Sequence, residues 1–179
     1  MDAALVDFWL RVSLFLIPLY VANSSALLFG GGAPIDFGKL HRDGNPLLGK
    51  GKTWRGAFAG IFAGSVAAAI VNFAFPPYAA LARGYLLIGI LLSVGAIGGD
   101  MVASYFKRRN GIGQGEEVIF LDQLDFVFGG LVAVALVSLV DGVYVPDIYG
   151  ITAISLVTIF AHKISNFIAF KAKLKKVPW

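Results

Sequence analysis

The sequence predicts an all-α integral membrane protein with about five transmembrane helices, in one membrane domain that covers residues 1–179. Of its residues 58% are hydrophobic and only 15% are charged, which is far more apolar than a soluble domain of this length. The mean hydropathy is +0.77. Five apolar runs each supply the roughly 20 residues that a helix needs to cross the hydrocarbon core.

The five runs are separated by proline and by polar loops. The predicted spans cover about residues 4–29, 55–75, 84–107, 124–141 and 148–170. Pro76 and Pro77 end the second span because proline cannot continue a helix cheaply, and Pro146 precedes the fifth span. The first residues are acidic where a signal peptide would be basic, so the first run is predicted to be a retained span. The chain has no cysteine, which excludes a disulfide framework and a thiolate metal site.

The placement of charge predicts the orientation of the chain. Loops 30–54 and 108–120 are long and polar, whereas the connections near 76–83 and 142–147 are short and almost uncharged. The cationic residues in the long loops, at the span ends beside them and in the tail are Lys39, Arg42, Lys50, Lys52, Arg55, Lys107, Arg108, Arg109, Lys171, Lys173, Lys175 and Lys176. Cytoplasmic loops carry an excess of Lys and Arg. We therefore expect an outside N-terminus, a cytoplasmic C-terminus and a cytoplasmic active site in a multi-pass protein of the cell membrane.

Glycine recurs every four residues in two of the spans. Gly56, Gly60 and Gly64 lie in the second span, and Gly95 and Gly99 lie in the third. Small residues at this spacing let membrane helices approach closely. They predict helix packing, either within the chain or across a homodimer.

The third span ends in a polar stripe. Its members are Asp100, Ser104, Lys107 and Arg108, which fall on one helical face. Asp100 would lie about 12 Å below Arg108. A carboxylate beside the hydrocarbon layer is costly unless it faces a cavity, a partner or a cation. The alternatives are an acid paired with a neighbouring lysine and a basic cluster that only stops translocation.

Asp122 and Asp125 begin the fourth span and share one face. If both face Asp100, three like charges converge and a cation must intervene. Oxygen ligands suit Mg²⁺ or Mn²⁺ rather than zinc. The alternative is that the two acids only favour the positive end of the helix dipole. Acids for a metal beside bases for phosphate indicate phosphoryl or nucleotidyl transfer on a lipid.

Further candidates lie in and beside the first long loop. Segment 49–56, Gly-Lys-Gly-Lys-Thr-Trp-Arg-Gly, combines exposed backbone N–H groups with a helix start, as a phosphate cradle does. Its candidate contacts are Lys50, Lys52, Thr53 and Arg55. The segment lacks the Walker spacing, and a role in orientation alone is the alternative. Asn23 is expected to hydrogen-bond another helix, whereas Asp36 and Lys39 either line the mouth of the site or are solvated. We also expect Asn23, Asp36 and Lys39 as candidate contacts of the substrate.

Two blocks carry a family resemblance. Residues 52–56, Lys-Thr-Trp-Arg-Gly, are similar to a Lys-Thr-Trp-Glu-Gly motif, and residues 121–125, Leu-Asp-Gln-Leu-Asp, are similar to a signature that ends Leu-Asp-Arg-x-Asp. Before the second block stand Gly99, Asp100, Ser104, Lys107 and Arg108. Together, across residues 46–125, they resemble the CTP-dependent cytidylyltransferases that activate lipid phosphates. Arg55 and Gln123 replace the usual Glu and Arg, and Pro-Gly-His-Gly-Gly is missing. With the short length and the segment 30–38, these departures resemble the archaeal branch, the CDP-archaeol synthases.

This resemblance implies a reaction, a cofactor and partners. The chain would transfer CMP from CTP to 2,3-bis-O-(geranylgeranyl)-sn-glycerol 1-phosphate in the membrane and release pyrophosphate. This reaction belongs to archaeal phospholipid biosynthesis, and it implies no nucleic-acid partner. It implies Mg²⁺, or Mn²⁺, held by Asp100, Asp122 and Asp125. The residues expected to bind phosphate are Lys52, Arg55, Lys107 and Arg108. We expect the three acids and Lys52 to be catalytic.

Other functions make different predictions. A transporter of an anionic solute calls for charge deep in several helices and openings to both faces, whereas here charge gathers on one side. A cytidylyltransferase for another lipid phosphate shares every feature above and stays open. A CDP-alcohol phosphotransferase requires an Asp-Gly-x-x-Ala-Arg motif, which the sequence lacks.

Overall fold

The computed structural model describes residues 2–114, 116 and 118–171. Its helices are α1 (Ala3–Leu28), α2 (Trp54–Ala74), α3 (Pro76–Ala79), α4 (Tyr85–Arg109), α5 (Leu121–Asp141) and α6 (Ile148–Lys171). Apart from isolated bridges in the first loop, the described residues form no β-structure. All helices but α3 are long and apolar enough to cross a membrane, so the predicted class and the five spans are confirmed. The tail residues Lys173, Lys175 and Lys176 lie outside the described residues.

Local sequence accounts for where the helices start and end. The Asp2 carboxylate caps α1 by accepting the backbone N–H of Ala4 at 3.1 Å, and Thr53 caps α2 in the same manner. Gly142 ends α5 with a φ of 61°, a left-handed conformation that glycine adopts without steric cost. Helix α5 begins at Leu121, three residues before the predicted start of the span, so Asp122 lies in its first turn.

Helix α4 is at the centre of the bundle. In its most apolar window 44% of residues are buried inside the protein, compared with 11% for α6. It packs against α5, α2 and α1. The fully buried large side chains include Leu14, Phe15, Leu19, Tyr85, Ile88, Leu92, Phe126 and Val127. Since α4 also carries Asp100 and the basic residues, its central place puts those groups inside the protein rather than in lipid.

The glycine stripes serve packing within the chain. A Cβ added to Gly60 would lie 2.7 Å from the carbonyl oxygen of Ala22 on α1, and one added to Gly95 would lie 2.4 Å from that of Gly129 on α5. Only glycine permits backbones to approach this closely. These faces are therefore occupied by the chain's own helices rather than by a second copy.

We expect Gly99→Ala and Gly98→Ala to have opposite effects, although the two residues are adjacent. A Cβ on Gly99 would lie 2.2 Å from the carbonyl oxygen of Asp125, whereas one on Gly98 would meet nothing within 4 Å. Overpacking at Gly99 should cost about 1–3 kcal/mol of unfolding free energy, while alanine at Gly98 should stabilise the helix by up to about 1 kcal/mol. Thermal unfolding in detergent measures both. Equal effects would contradict this packing.

Candidate active site

The contact between α4 and α5 brings two predicted acids together. Gly99 touches the backbone of Asp125, because only a glycine allows α4 to approach the Asp125 carbonyl so closely. Asp100 follows Gly99 directly, about 100° round the helix from this contact. The Asp125 carboxylate interacts electrostatically with Asp100, Lys52 and Asp122. The glycine contact thus helps to bring together residues of two helices and the first loop. We call these residues, Lys52, Asp100, Asp122 and Asp125, the charged cluster.

Lys52 and Asp100 form an ion pair across 48 residues of sequence. The Lys52 ammonium lies 2.6 Å from each oxygen of the Asp100 carboxylate, and both side chains are 25% exposed. The pair lines a cavity of about 190 Å³ between α1, α2, α4 and the first loop, whose wall also includes Asn23 and Thr53. Ligand pockets usually measure about 300–1,000 Å³. This cavity therefore accommodates only part of a nucleotide.

A second ion pair joins the end of α4 to the start of α5. The Lys107 ammonium lies 2.9 and 2.7 Å from the two oxygens of Asp122 and donates to the Glu116 carbonyl at 2.6 Å. The Asp122 carboxylate also accepts the backbone N–H of Val118 at 2.9 Å. The Lys107 side chain is only 10% exposed, compared with 25% for Lys52, whereas Asp122 is 29% exposed.

The acids do not form a ready-made metal site. Among residues 2–114, 116 and 118–171, no group of three His, Cys, Asp or Glu side chains is placed to hold an ion. Asp100 instead pairs with Lys52, the alternative stated for it above, and Asp122 pairs with Lys107. The carboxylate donors still fit Mg²⁺, and ammonium groups already occupy the position of a counter-cation. The metal role of Asp100, Asp122 and Asp125 stays a prediction.

Buried polar groups without partners lie beside the ion pairs. Arg108 is 8% exposed, and its Nε finds no hydrogen-bond partner in the described part of the chain. The Oε1 of Gln123, on the first turns of α5, is buried and unpartnered in the same way. Ser104, one turn below Arg108, is also buried. Leaving a buried donor unsatisfied costs about 1–3 kcal/mol, so a ligand that bonded Arg108 would recover that cost.

Other predicted contacts hold the backbone instead. The Arg55 guanidinium, expected to bind phosphate, donates at 2.8 Å to the Phe29 carbonyl at the end of α1. The Thr53 hydroxyl accepts the Gly56 N–H at 3.2 Å as the α2 cap. Asn23, expected to bond another helix, makes no hydrogen bond to a described residue and lines the cavity. The phosphate-binding role of Arg55 stays a prediction, and Asn23 is placed to meet a ligand in the cavity.

Asp36 organises the first loop from within. Its carboxylate is buried and accepts the backbone N–H groups of Gly38, Leu48 and Gly49 at 2.9, 2.9 and 3.1 Å. Burial would raise the pKa of Asp36, but these hydrogen bonds outweigh it and lower the pKa. Asp36 therefore fixes the loop backbone at Gly38, Leu48 and Gly49, and it is neither solvated nor at the mouth of the site. Lys39 and Lys50 are exposed on the loop surface.

We expect the stabilising effect of Asp36 to depend on pH. Because its folded pKa is below the unfolded value of about 3.9, its contribution is full above that value and is lost as pH falls through the folded pKa. Asp36→Asn should lose about 1.5–3 kcal/mol near neutral pH. The difference in thermal midpoint between the two proteins should vanish in acid. A difference that persisted unchanged would contradict this role.

Sequence reasoning missed the contacts that fold the loops over α4. The Arg109 guanidinium lies 2.7 Å from both oxygens of Asp43 and stacks over the Tyr105 ring at 5.2 Å. The Gln114 amide of the second loop lies 3.6 Å from the position of a Cβ on Gly51. Arg109 was visible only as one of three basic residues. Nothing in the sequence pattern pairs it with an acid 66 residues away.

Comparison with known proteins gives a consistent result. A family model described as CarS-like, CDP-archaeol synthase, matches residues 5–179. The CDP-archaeol synthase of Pyrococcus abyssi is 39% identical over 166 residues, which cover 92% of this chain and 95% of the relative. That of Methanopyrus kandleri is 42% identical over 172 residues, 92% of this chain and 90% of the relative. That of Thermococcus onnurineus is 37% identical over 179 residues, with 100% and 99% covered.

The fold also matches a solved structure. It is described as an intramembrane enzyme for archaeal membrane lipid biosynthesis. The alignment has a TM-score of 0.74 at 32% identity and covers 86% of this chain and 90% of that one. Similarity therefore extends over nearly the whole chain in both sequence and fold.

Proposed function

The chain belongs to the CDP-archaeol synthase family and is therefore a membrane-bound cytidylyltransferase, and we propose that it performs the following reaction. It transfers CMP from CTP to 2,3-bis-O-(geranylgeranyl)-sn-glycerol 1-phosphate, in archaeal membrane phospholipid biosynthesis. The products are CDP-2,3-bis-O-(geranylgeranyl)-sn-glycerol and pyrophosphate. The active site faces the cytoplasm, because the loops that carry the bases are those the positive-inside rule assigns to that side.

The observation that carries this proposal is the pairing of two acids with two lysines around Asp125. Lys52 holds Asp100, and Lys107 holds Asp122, at 2.6–2.9 Å. A triphosphate offers the lysines more negative charge than one carboxylate does. When it binds, each ammonium group can turn to phosphate and release its carboxylate. The two lysines therefore balance the charges of Asp100 and Asp122 and are placed to meet a highly charged substrate.

Arg108 supplies a further donor for the triphosphate. Its buried Nε lacks a partner among the described residues, and it lies next to Lys107 on α4. A phosphate oxygen would satisfy it with a charge-assisted hydrogen bond. The cavity that contains Asn23 and Lys52 receives the other part of the ligand.

The chemistry needs positioning more than proton transfer. An oxygen of the lipid phosphate attacks the α-phosphorus of CTP, and the bond from that phosphorus to the bridging oxygen of the β-phosphate breaks, so that pyrophosphate leaves with its electron pair. The nucleophile is already an anion and needs no general base. Lys52, Lys107 and Arg108 orient the reacting phosphates and offset their repulsion. Mg²⁺ bound by Asp100, Asp122 and Asp125 would neutralise further charge as it develops.

The test follows two labels. The purified protein in nanodiscs is incubated with the ether-lipid phosphate, Mg²⁺ and CTP labelled at either the α- or the γ-phosphorus. We expect the α-label in lipid and the γ-label in pyrophosphate, with both lost on chelation. A parallel incubation replaces the ether-lipid phosphate with phosphatidate. Faster labelling of phosphatidate than of the ether lipid would assign another lipid phosphate as the substrate. Uptake of an anionic solute into vesicles without turnover would favour a transporter and overturn the proposal.

A further inference from the structure

An apolar groove runs along the membrane-facing surface between α4 and α5. It encloses about 810 Å³. Its α4 wall runs from Val94 to Phe106, and its α5 wall runs from Leu121 to Leu136. Of the described residues that line it, Asp125 alone is ionisable. The groove thus joins the hydrocarbon region directly to an acid of the charged cluster.

The length of the groove matches one leaflet of the membrane. From Val94 to Phe106 helix α4 rises about 18 Å, at 1.5 Å per residue. Half of a hydrocarbon core about 30 Å thick is about 15 Å. A lipid chain that follows the groove therefore runs from the headgroup level, near Phe106, to the middle of the bilayer.

Gly98 keeps this groove open. A Cβ at this position would meet nothing within 4 Å, and Gly98 lines the groove. Its neighbours Gly95 and Gly99 are needed because α5 touches them, but no such contact requires Gly98. Glycine in a helix interior is destabilising relative to alanine. Packing does not explain the residue, whereas a ligand that occupies the space does.

From these observations we infer that the groove binds one hydrocarbon chain of the lipid phosphate substrate and that Gly98 leaves room for the methyl branches of that chain. The inference rests on the proposed function. The chain would lead its phosphate to Asp125, beside Lys52 and Asp100.

Photo-crosslinking tests where the chain lies. A lipid phosphate with a diazirine in one prenyl chain is bound in nanodiscs without CTP and irradiated, and the labelled peptides are identified by mass spectrometry. We expect label on α4 and α5, within 94–106 and 121–136. Label spread evenly over α2 and α6 would overturn the inference, and so would crosslinks between two chains.

Variants test the groove during turnover. Gly98→Leu and Val132→Trp, which fill it, should raise the KM for the lipid about tenfold and leave the KM for CTP unchanged. Val66→Trp makes the same valine replacement on the lipid-facing side of α2, outside the groove, and should match the parent. Unchanged lipid KM in both groove variants would refute the site. Absence of transfer in the parent protein would instead refute the proposed function, while the crosslinks still decide the groove.

Discussion

Asp125→Asn is expected to lower the turnover number by about a thousandfold or more while the protein remains folded. Asparagine has the same shape, and its side-chain oxygen can still accept the Phe126 N–H, which Asp125 accepts at 2.6 Å. What is lost is the charge at the junction of the cluster and the groove. Release of labelled pyrophosphate measures turnover, and the thermal midpoint in detergent measures folding.

The matched control for this variant is Asp7→Asn. Asp7 lies near the N-terminus of α1, where its carboxylate pairs with Arg11 at 2.8 Å, well away from the cluster. We expect it to keep nearly full activity. If Asp125→Asn instead retained most of the parent activity, Asp125 would have no part in the reaction and the assignment of the acids would be wrong.

The second large effect is expected at Lys107, where activity and stability can be separated. Lys107→Met leaves the partly exposed Asp122 carboxylate without its cation, which should cost about 1–3 kcal/mol of unfolding free energy. Turnover should fall by at least about a hundredfold, because a donor to the substrate phosphates is lost. Chemical denaturation and the label assay measure the two effects.

A double variant distinguishes a catalytic pair from a structural one. Lys107→Met with Asp122→Asn removes both charges and leaves an oxygen for the Val118 N–H. A buried ion pair can often be replaced by neutral groups at little cost, so stability should largely return. Activity should stay low. Return of both stability and activity would show that the Lys107–Asp122 pair only supports the fold.

The sequence was informative wherever a rule of helical geometry applied. Hydropathy predicted the five spans because a segment in lipid must satisfy its backbone N–H and C=O groups internally, as a helix does, and must present apolar side chains to the lipid. Helical periodicity predicted that Asp100, Lys107 and Arg108 share a face. What periodicity cannot predict is the partner of each group, because Lys52 reaches Asp100 only through the fold of the first loop.

Two positions illustrate that limit. Gly98 and Gly99 are neighbouring glycines of one helix, yet Gly99 touches α5 and Gly98 faces open space. Asp36 was expected either to line the mouth of the site or to be solvated, but it is a buried acceptor for three backbone N–H groups. Both outcomes depend on neighbours that are distant in the chain. Spacing rules describe one element at a time and do not contain that information.

The most direct test of the charged cluster as the reaction centre is a structure of the protein with CTP and Mn²⁺, phased so that anomalous scattering locates the metal. We predict a peak among the carboxylate oxygens of Asp100, Asp122 and Asp125, with the Lys52 and Lys107 ammonium groups turned from the acids to phosphate oxygens. A peak elsewhere, with both lysine–aspartate pairs intact and CTP bound away from them, would contradict the account.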